Sequence, residues 1–525
     1  MGDMKLPSVP QWRRELPWCA AIAALTAVVH AGILRLQWMY DDAFHIHFLL
    51  THPMRFVVTP SLWRELPFRM YTPLQFVSYW FDLHVFGIVP RAWYAHQLIS
   101  LGLAAAALFL LLRLWWEPAT AAAGAALFAL NPHIVGWAGL LMARHYIEGF
   151  VFACLSLAAY LLYLRGGRRS LLVAALVLYA LSMLCKEIYV LIPLLLPKER
   201  RTAVSFAPVT VAYLLARYAM LGTFVGGYGW AVPPTMRLSF FAAAPFRIVA
   251  SAFQPAMLWI PVIAATIVIA VKRPRLLIEL LVALAVFVGP VVPVSTEIEA
   301  RYVMLPALIG SLAALLSVFF LDRKWRPIAL TVLGIWVVVA AWSGNRSDLQ
   351  SLHRQSAESR FFLQLGPRDV LAHPAIPPAS VAELDWLKTN ALHGAAGTQW
   401  YFDDIYACSH DLAPKVVWSH DGARFVVIPP LASAKLPCSG QAGGVSIDML
   451  HDGDAIYWNL RPENDSYEII LGEGIQAFAI PPSWGFHLGD TKNLTFRIRY
   501  TTPEGRAAYT PVLTFDFAKQ RFHYP

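Results

Sequence analysis

The sequence predicts a polytopic α-helical membrane protein with a β-rich C-terminal domain, and three observations lead to that class. Of 525 residues 58% are hydrophobic and 14% charged, against about 25% charged in soluble domains, and the mean hydropathy is +0.52. Apolar runs of membrane-crossing length recur as far as residue 342. Basic residues collect in every second connection between those runs. The net charge of +9 therefore belongs to the membrane pattern and not to a nucleic-acid-binding face.

The first run, 17–36, holds about twenty residues at roughly 1.5 Å each, enough to cross a hydrocarbon core of ~30 Å. Lys5, Arg13 and Arg14 precede it, which puts the N-terminus in the cytoplasm, and without a small-residue cleavage site the segment reads as retained. Further runs lie at 92–115, 119–137, 146–164, 171–185, 187–197, 203–221, 247–271, 276–294, 302–321 and 328–342, giving about eleven spans. The connections that alternation assigns to the cytoplasm carry Arg113, Arg165 with Arg168 and Arg169, Lys198 with Arg200 and Arg201, Lys272 with Arg273 and Arg275, and Arg323 with Lys324 and Arg326.

This orientation places Asp41-Asp42, the segment around His145, the joint Lys186-Glu187, the loop after Gly222, 296–301 and the C-terminal tail outside. The loop between Tyr40 and Arg91 has apolar-periodic pieces at 43–51 and 73–86 that read as surface helices able to roof a cavity. The division expected is a transmembrane module over 1–343 and an extracytoplasmic domain over 344–525. In the latter a helical pattern at 381–392 precedes alternating runs at 415–418, 424–428, 455–458, 467–471 and 495–500. Asp421-Gly422 and Asp452-Gly453 mark hairpin turns, so a small β-sandwich is expected.

Cys19, Cys154 and Cys185 lie in apolar runs, where a thiol acts as a small hydrophobe. Cys408 and Cys438 share the exported domain, an oxidising setting in which a disulfide between them is expected. There is no CxxC pair, heptad array, Walker glycine loop or dinucleotide fingerprint.

Charged and titratable residues near the outer ends of the spans are Asp41, Asp42, Asp82, Arg144, Glu148, Lys186, Glu187, Arg217, Glu297, Glu299 and Arg301. To these the sequence adds His45, His47, His84, His96, His133 and His145. Any one of them has an ordinary use in pairing or in snorkelling to the head groups. Gathered on one side, cations and paired acids point to a site that holds an anionic lipid head group while acids bind or deprotonate a polar partner.

Tyr40-Asp41-Asp42, then Tyr71-Thr72-Pro73-Leu74 with Phe76-Val77-Ser78, then Gly87-Ile88-Val89-Pro90 before His96, resemble the opening of GT-C glycosyltransferases. The nearest branch is the protein O-mannosyltransferase-like proteins, among them the transmembrane O-mannosyltransferase-like group, and their bacterial relatives. Asn131-Pro132-His133 with Arg144, Ser182–Glu187 with the leucine-rich run around Pro193, and Glu299-Ala300-Arg301-Tyr302 with Pro306 continue the series in order. Departures are Asn131-Pro132 where relatives read His-Pro, Thr72-Pro73-Leu74 where they read Arg-Pro-Leu, and a β-rich tail where many have helical repeats.

The resemblance implies inverting transfer of a sugar from a polyprenyl-phosphate donor to a protein, lipid or glycan acceptor on the periplasmic face of the inner membrane. Such chemistry needs a base for the acceptor hydroxyl and cations for the departing phosphate. Asp41 and Asp42 are the candidates for base and orienting partner. Lys186, Arg301, Arg144 and Arg217 are the candidates for the phosphate, with Glu187, His145, Glu148 and Tyr302 as further site residues. His145-x-x-Glu148, joined by His45-x-His47, leaves a divalent metal open as a cofactor, although interface hydrogen bonding is the commoner use of such pairs. The competing classes are a transporter or flippase of lipid-linked sugars and a membrane-anchored glycan-binding or assembly protein. No inverted repeat in the span pattern favours the first, and exported aromatics such as Trp400, Tyr401, Trp418, Trp458 and Trp484 serve more often as sandwich core than in stacking on sugars.

Overall fold

A computed structural model describes residues 12–66, 70–195, 204–224, 237–254, 259–295, 298–367, 369–372, 378–401, 416–419, 424–426, 446–452, 455–461, 466–471, 476–480, 483–487, 493–501, 507–516 and 521–523. In chain order the helices are α1 (Trp12–His30), α2 (Asp42–Thr51), α3 (Pro60–Glu65), α4 (Pro73–Phe86), α5 (Pro90–Leu112) and α6 (Pro118–Ala129). They continue as α7 (Val135–Ala138), α8 (Arg144–Gly166), α9 (Arg169–Cys185), α10 (Phe206–Leu221) and α11 (Arg237–Ala252). The last are α12 (Trp259–Lys272), α13 (Pro274–Val288), α14 (Ala300–Val318), α15 (Arg326–Phe362) and α16 (Pro378–Trp386).

Among the described residues six segments are long and apolar enough to cross a membrane: Arg13–Arg35, Pro90–Leu112, Leu141–Gly166, Pro274–Pro293, Ala300–Val318 and Arg326–Phe362. Shorter apolar helices occupy Pro118–Ala129, Arg169–Cys185, Phe206–Leu221, Leu238–Ala252 and Trp259–Lys272. Large apolar side chains point outward on these helices, as Ile260, Ile263, Ile267 and Val271 do along one stripe of α12, which suits lipid as the surrounding medium.

Two expectations are corrected. The run 187–197 is no span, because its described part forms 3-10 turns at Glu187–Tyr189 and Ile192–Leu195. Eleven residues are too few to cross, and Pro193 withholds a backbone donor. The run 247–271 is no single helix either: α11 ends at Ala252, and α12 starts at Trp259. Pro255 disfavours helical geometry in Gln254 just before it.

Contacts between Cα atoms divide the chain, over its described residues, into two compact units. The first comprises Met1–Leu36, Leu49–Tyr228 and Phe241–Leu352, the second Gln37–Phe48, Gly229–Phe240 and His353–Pro525. In the first unit α5 and α14 are the inner helices, with 67% and 72% of their apolar windows buried, whereas α1 has 17%. Glu15 receives Arg113 Nε and Nη2 at 2.9 and 2.7 Å, so a buried two-pronged pair ties α1 to the end of α5. Gly167 takes φ +66°, closes α8 with its N–H on Tyr163, and returns the chain into α9, where Ser156 Oγ donates to the Ala175 carbonyl at 2.8 Å. Close backbone approaches use glycine elsewhere: a Cβ on Gly136 of α7 would lie 2.7 Å from the Arg301 nitrogen.

In the second unit α16 runs on into a π-helical turn, Leu387–Ala391, at the expected helical pattern. The strands are β1 (Val370–Ala372), β2 (Gln399–Tyr401), β3 (Val416–Ser419), β4 (Arg424–Val426), β5 (Ser446–Asp452), β6 (Ala455–Arg461) and β7 (Ser466–Leu471). After them come β8 (Gln476–Ile480), β9 (Ser483–His487), β10 (Asn493–Thr501), β11 (Ala507–Tyr509), β12 (Leu513–Asp516) and β13 (Arg521–His523). They form sheets in the orders β2-β1-β3-β4, with β1 parallel to β2 and β3, β5-β6-β9, and β13-β12-β10-β7-β8 with β11 on β10. Antiparallel pairs flank both expected Asp-Gly turns, β3 with β4 and β5 with β6. Phe496, Ile498 and Tyr500 of β10 are buried while Arg497 and Arg499 between them are not, the period-two pattern of a strand with one covered face. Cys408 and Cys438 lie outside the described residues, as does Glu297.

Gly136→Ala should destabilise the first unit by about 1–3 kcal/mol, because the new methyl meets main chain that cannot swing aside. Thermal unfolding of the detergent-purified variant measures it, and an unchanged midpoint would mean that α7 and the start of α14 are not packed this closely.

Candidate functional site

Helix ends gather the charges of the first unit. Cys185 ends α9, and Lys186 follows in extended geometry, its N–H capping the helix on the Ser182 carbonyl. Lys186 Nζ stands 3.3 Å from Glu187 Oε1, and Arg217 Nη1, from the last turns of α10, stands 3.6 Å from Glu187 Oε2. One carboxylate thus serves two buried cations. Arg217 also donates from Nε to the Phe224 carbonyl at 3.1 Å and from Nη1 to the Tyr213 hydroxyl at 3.5 Å.

Aromatic rings extend this group to a third cation. Lys186 Nζ lies 5.1 Å from the centroid of Tyr146, whose ring meets that of Tyr302 edge-on at 6.3 Å. The Arg301 guanidinium lies 5.2 Å from the Tyr302 centroid and bonds Glu299 at 2.5 Å. The main chain is fixed here as well: Trp137 Nε1 donates to the Arg301 carbonyl at 2.9 Å and the Tyr189 hydroxyl to the Tyr146 carbonyl at 2.5 Å. Among the described residues the three cations Lys186, Arg217 and Arg301 stand against the two carboxylates Glu187 and Glu299, with Lys186 and Arg217 buried and the Arg301–Glu299 pair partly exposed. Such a group suits an anion, since Lys186 and Arg217 are desolvated and all three cations are already oriented.

Arg144 is placed elsewhere. It is completely buried, with Nε donating to Gln97 Oε1 at 3.0 Å, Nη1 paired to Asp82, and Nη2 donating to the Trp93 carbonyl at 2.8 Å. Asp82 is equally buried and its other oxygen takes a hydrogen bond of 2.6 Å from His96 Nδ1; a carboxylate only accepts, so the proton sits on that nitrogen. Glu148, one turn after Arg144, accepts from Ser78 Oγ at 2.6 Å. These bonds tie α4, α5 and α8 together, and they occupy Arg144 and Glu148 in structure. His145 is buried with its ring 4.6 Å from that of Tyr146. Among the described residues no group of three or more His, Cys, Asp or Glu side chains is arranged to hold a metal ion.

The acidic pair belongs to the second unit. Tyr40 takes φ +46°, a conformation that costs a non-glycine residue on the order of 1–2 kcal/mol. The turn it makes is closed by Asp42, which is buried at the start of α2 and accepts the Met39 N–H at 2.9 Å. Asp41 is half-buried, and among the described residues its carboxylate takes part in no hydrogen bond or ion pair. Its carbonyl accepts from His45 Nδ1 at 2.7 Å. Burial pushes the His45 imidazole down, with Asp41 opposing, so the ring is neutral at pH 7. His47 stacks on Trp386 at 3.6 Å and bonds Glu383 at 2.8 Å, a use that its position in sequence does not suggest.

Tyr146 and Tyr213 are site residues that sequence reasoning missed. Tyr146 carries a signal in hindsight, since an aromatic two positions after an arginine in the first turn of α8 faces away from that arginine and toward other helices.

Asp82→Asn should cost about 3–5 kcal/mol by leaving Arg144 buried without its counter-charge, whereas Arg301→Ala should cost under about 1 kcal/mol because its partner Glu299 is partly exposed. Unfolding of both variants in detergent compares them, and equal losses would remove the distinction between an enclosed and a partly exposed arginine. No protein-family model matches the chain and no curated protein matches it, so the functional reading rests on the geometry and chemistry of these residues.

Proposed function

We propose that the chain is a GT-C type membrane glycosyltransferase that moves a sugar, with inversion, from a polyprenyl-phosphate donor to a hydroxyl of a protein, lipid or glycan. The observation that carries this reading is the group in which, among the described residues, three cations, Lys186, Arg217 and Arg301, stand against two carboxylates beside Tyr146 and Tyr302. The donor phosphodiester already carries one negative charge on its non-bridging oxygens and a second develops on the bridging oxygen as the bond to the sugar breaks, and preorganised cations lower the barrier by stabilising that charge as it appears. Arg144 takes no part, being enclosed by its own partners.

The acceptor oxygen attacks the anomeric carbon as its proton passes to a carboxylate, and the bond from that carbon to the phosphate oxygen breaks with both electrons going to the phosphate. Of the two adjacent acids Asp41 is the proton acceptor in this reading, because Asp42 is committed to the Met39 N–H. The same reading takes the long apolar helices as spans of the inner membrane. It puts the N-terminus in the cytoplasm and the β-rich C-terminal domain, with its sandwich, in the periplasm.

Purified protein in lipid discs, given radiolabelled polyprenyl-phosphate hexoses and membrane or periplasmic extract, should form labelled product. Lys186→Ala and Arg301→Ala should each lower turnover about 10²-fold or more. Asp41→Asn should lower it by about 10² to 10⁴ while donor affinity stays constant. Movement of the donor between leaflets with no glycosidic product would assign the chain to a carrier instead, and donor binding with neither would assign it to assembly.

A further inference from the structure

The turn that presents Asp41 is held from a point more than three hundred residues away in sequence. Gln355 and Ser356, consecutive residues near the end of α15, each bond it: Gln355 Nε2 donates to the Tyr40 hydroxyl at 2.9 Å, and Ser356 Oγ accepts the Gln37 N–H at 2.9 Å. Within the turn Asp42 accepts from Met39. Anchors therefore stand at Gln37, at Tyr40 and across Met39 and Asp42, on both sides of the one carboxylate left without a bond. Tyr40 lies at φ +46°, where a tyrosine does not rest unaided, so the backbone there is set by what holds its ring. Gln355 is 7% exposed and Asp42 4%, so water does not compete freely for these bonds.

We infer that Gln355 is a positioning residue: its amide, through the Tyr40 hydroxyl, fixes the turn that aims the Asp41 carboxylate. This rests on the reading of Asp41 as the base. A base must sit within hydrogen-bond reach of the proton it removes, and a displacement of about 1 Å costs on the order of 100-fold in rate. A carboxylate on an unanchored loop would wander by more than that. The inference also gives the sequence beyond residue 352 a part in the chemistry, since the bond to Tyr40 comes from there.

Tyr40→Phe and Gln355→Met each remove the bond and keep the shape. Carbodiimide with glycine ethyl ester, read by tandem mass spectrometry of the full-length protein, reports the carboxylates directly. In the wild type Asp41 should label and Asp42 should be protected. In either variant the protection of Asp42 relative to Asp41 should fall about 2- to 10-fold, the equivalent of one hydrogen bond, and the double variant should fall no further. Turnover of radiolabelled polyprenyl-phosphate hexose should drop about 10-fold or more in both, with donor affinity unchanged. An unchanged labelling ratio in both variants overturns the inference, as does a loss of folded protein with normal turnover per folded molecule. Normal turnover of Asp41→Asn, or no turnover by the wild type, would instead overturn the reading of Asp41 as base, and the labelling ratio still decides whether Gln355 holds the turn.

Discussion

Glu187 is the carboxylate on which the first unit depends. Lys186 and Arg217 are both 3% exposed, and each would be intolerable in an apolar surrounding without it. Sharing one acid between two cations leaves each incompletely neutralised, and Glu299, standing 36% exposed beside Arg301, leaves a second incomplete pair. A site meant only to hold helices together has no need of that surplus. The contrast is in the same unit: Arg144 has Asp82 within bonding distance, Gln97 and a main-chain carbonyl around it, and no exposed surface. Two arginines near helix termini thus have different uses, distinguished by how far their donors are already engaged.

The tyrosines give that surplus charge a shape. Tyr146 lies with its face toward Lys186 and its ring against Tyr302, whose own face is toward Arg301. Cation and ring attract through the ring quadrupole, so the rings hold the cations in place without cancelling their charge. The close packing around Gly136 and the bond from Trp137 to the Arg301 carbonyl fix the start of α14 and with it Arg301. Packing of small residues and placement of charge are one construction here.

Much of this was legible in the sequence because the membrane imposes simple rules. Runs such as 92–115 and 302–321 are long, apolar and flanked by charge, and helices stand there as α5 and α14. Lys186, Glu187, Arg217 and Arg301 stood out because a charge beside an apolar run is expensive. What was not legible are the partners. Nothing in the spacing says that Arg144 will choose Asp82, since the two are 62 residues apart and meet only after α4 and α8 pack. Gln355, 315 residues from Tyr40, is an ordinary polar residue on a long helix until the turn is built against it. The short run 187–197 misled because apolar content was read as length, and prolines together with eleven residues allow only tight turns.

If Lys186, Arg217 and Arg301 hold a lipid-linked phosphate, the leaving group alone should bind to them. Native mass spectrometry of the purified protein with equimolar polyprenyl phosphate and the uncharged polyprenol of the same length compares their retention. The phosphate should be retained at least about tenfold more strongly, the worth of one charge-assisted hydrogen bond, and Lys186→Ala and Arg301→Ala should remove most of that preference. Equal retention of phosphate and alcohol, unchanged in both variants, would contradict it and return Lys186, Arg217 and Arg301 to the role of helix ties.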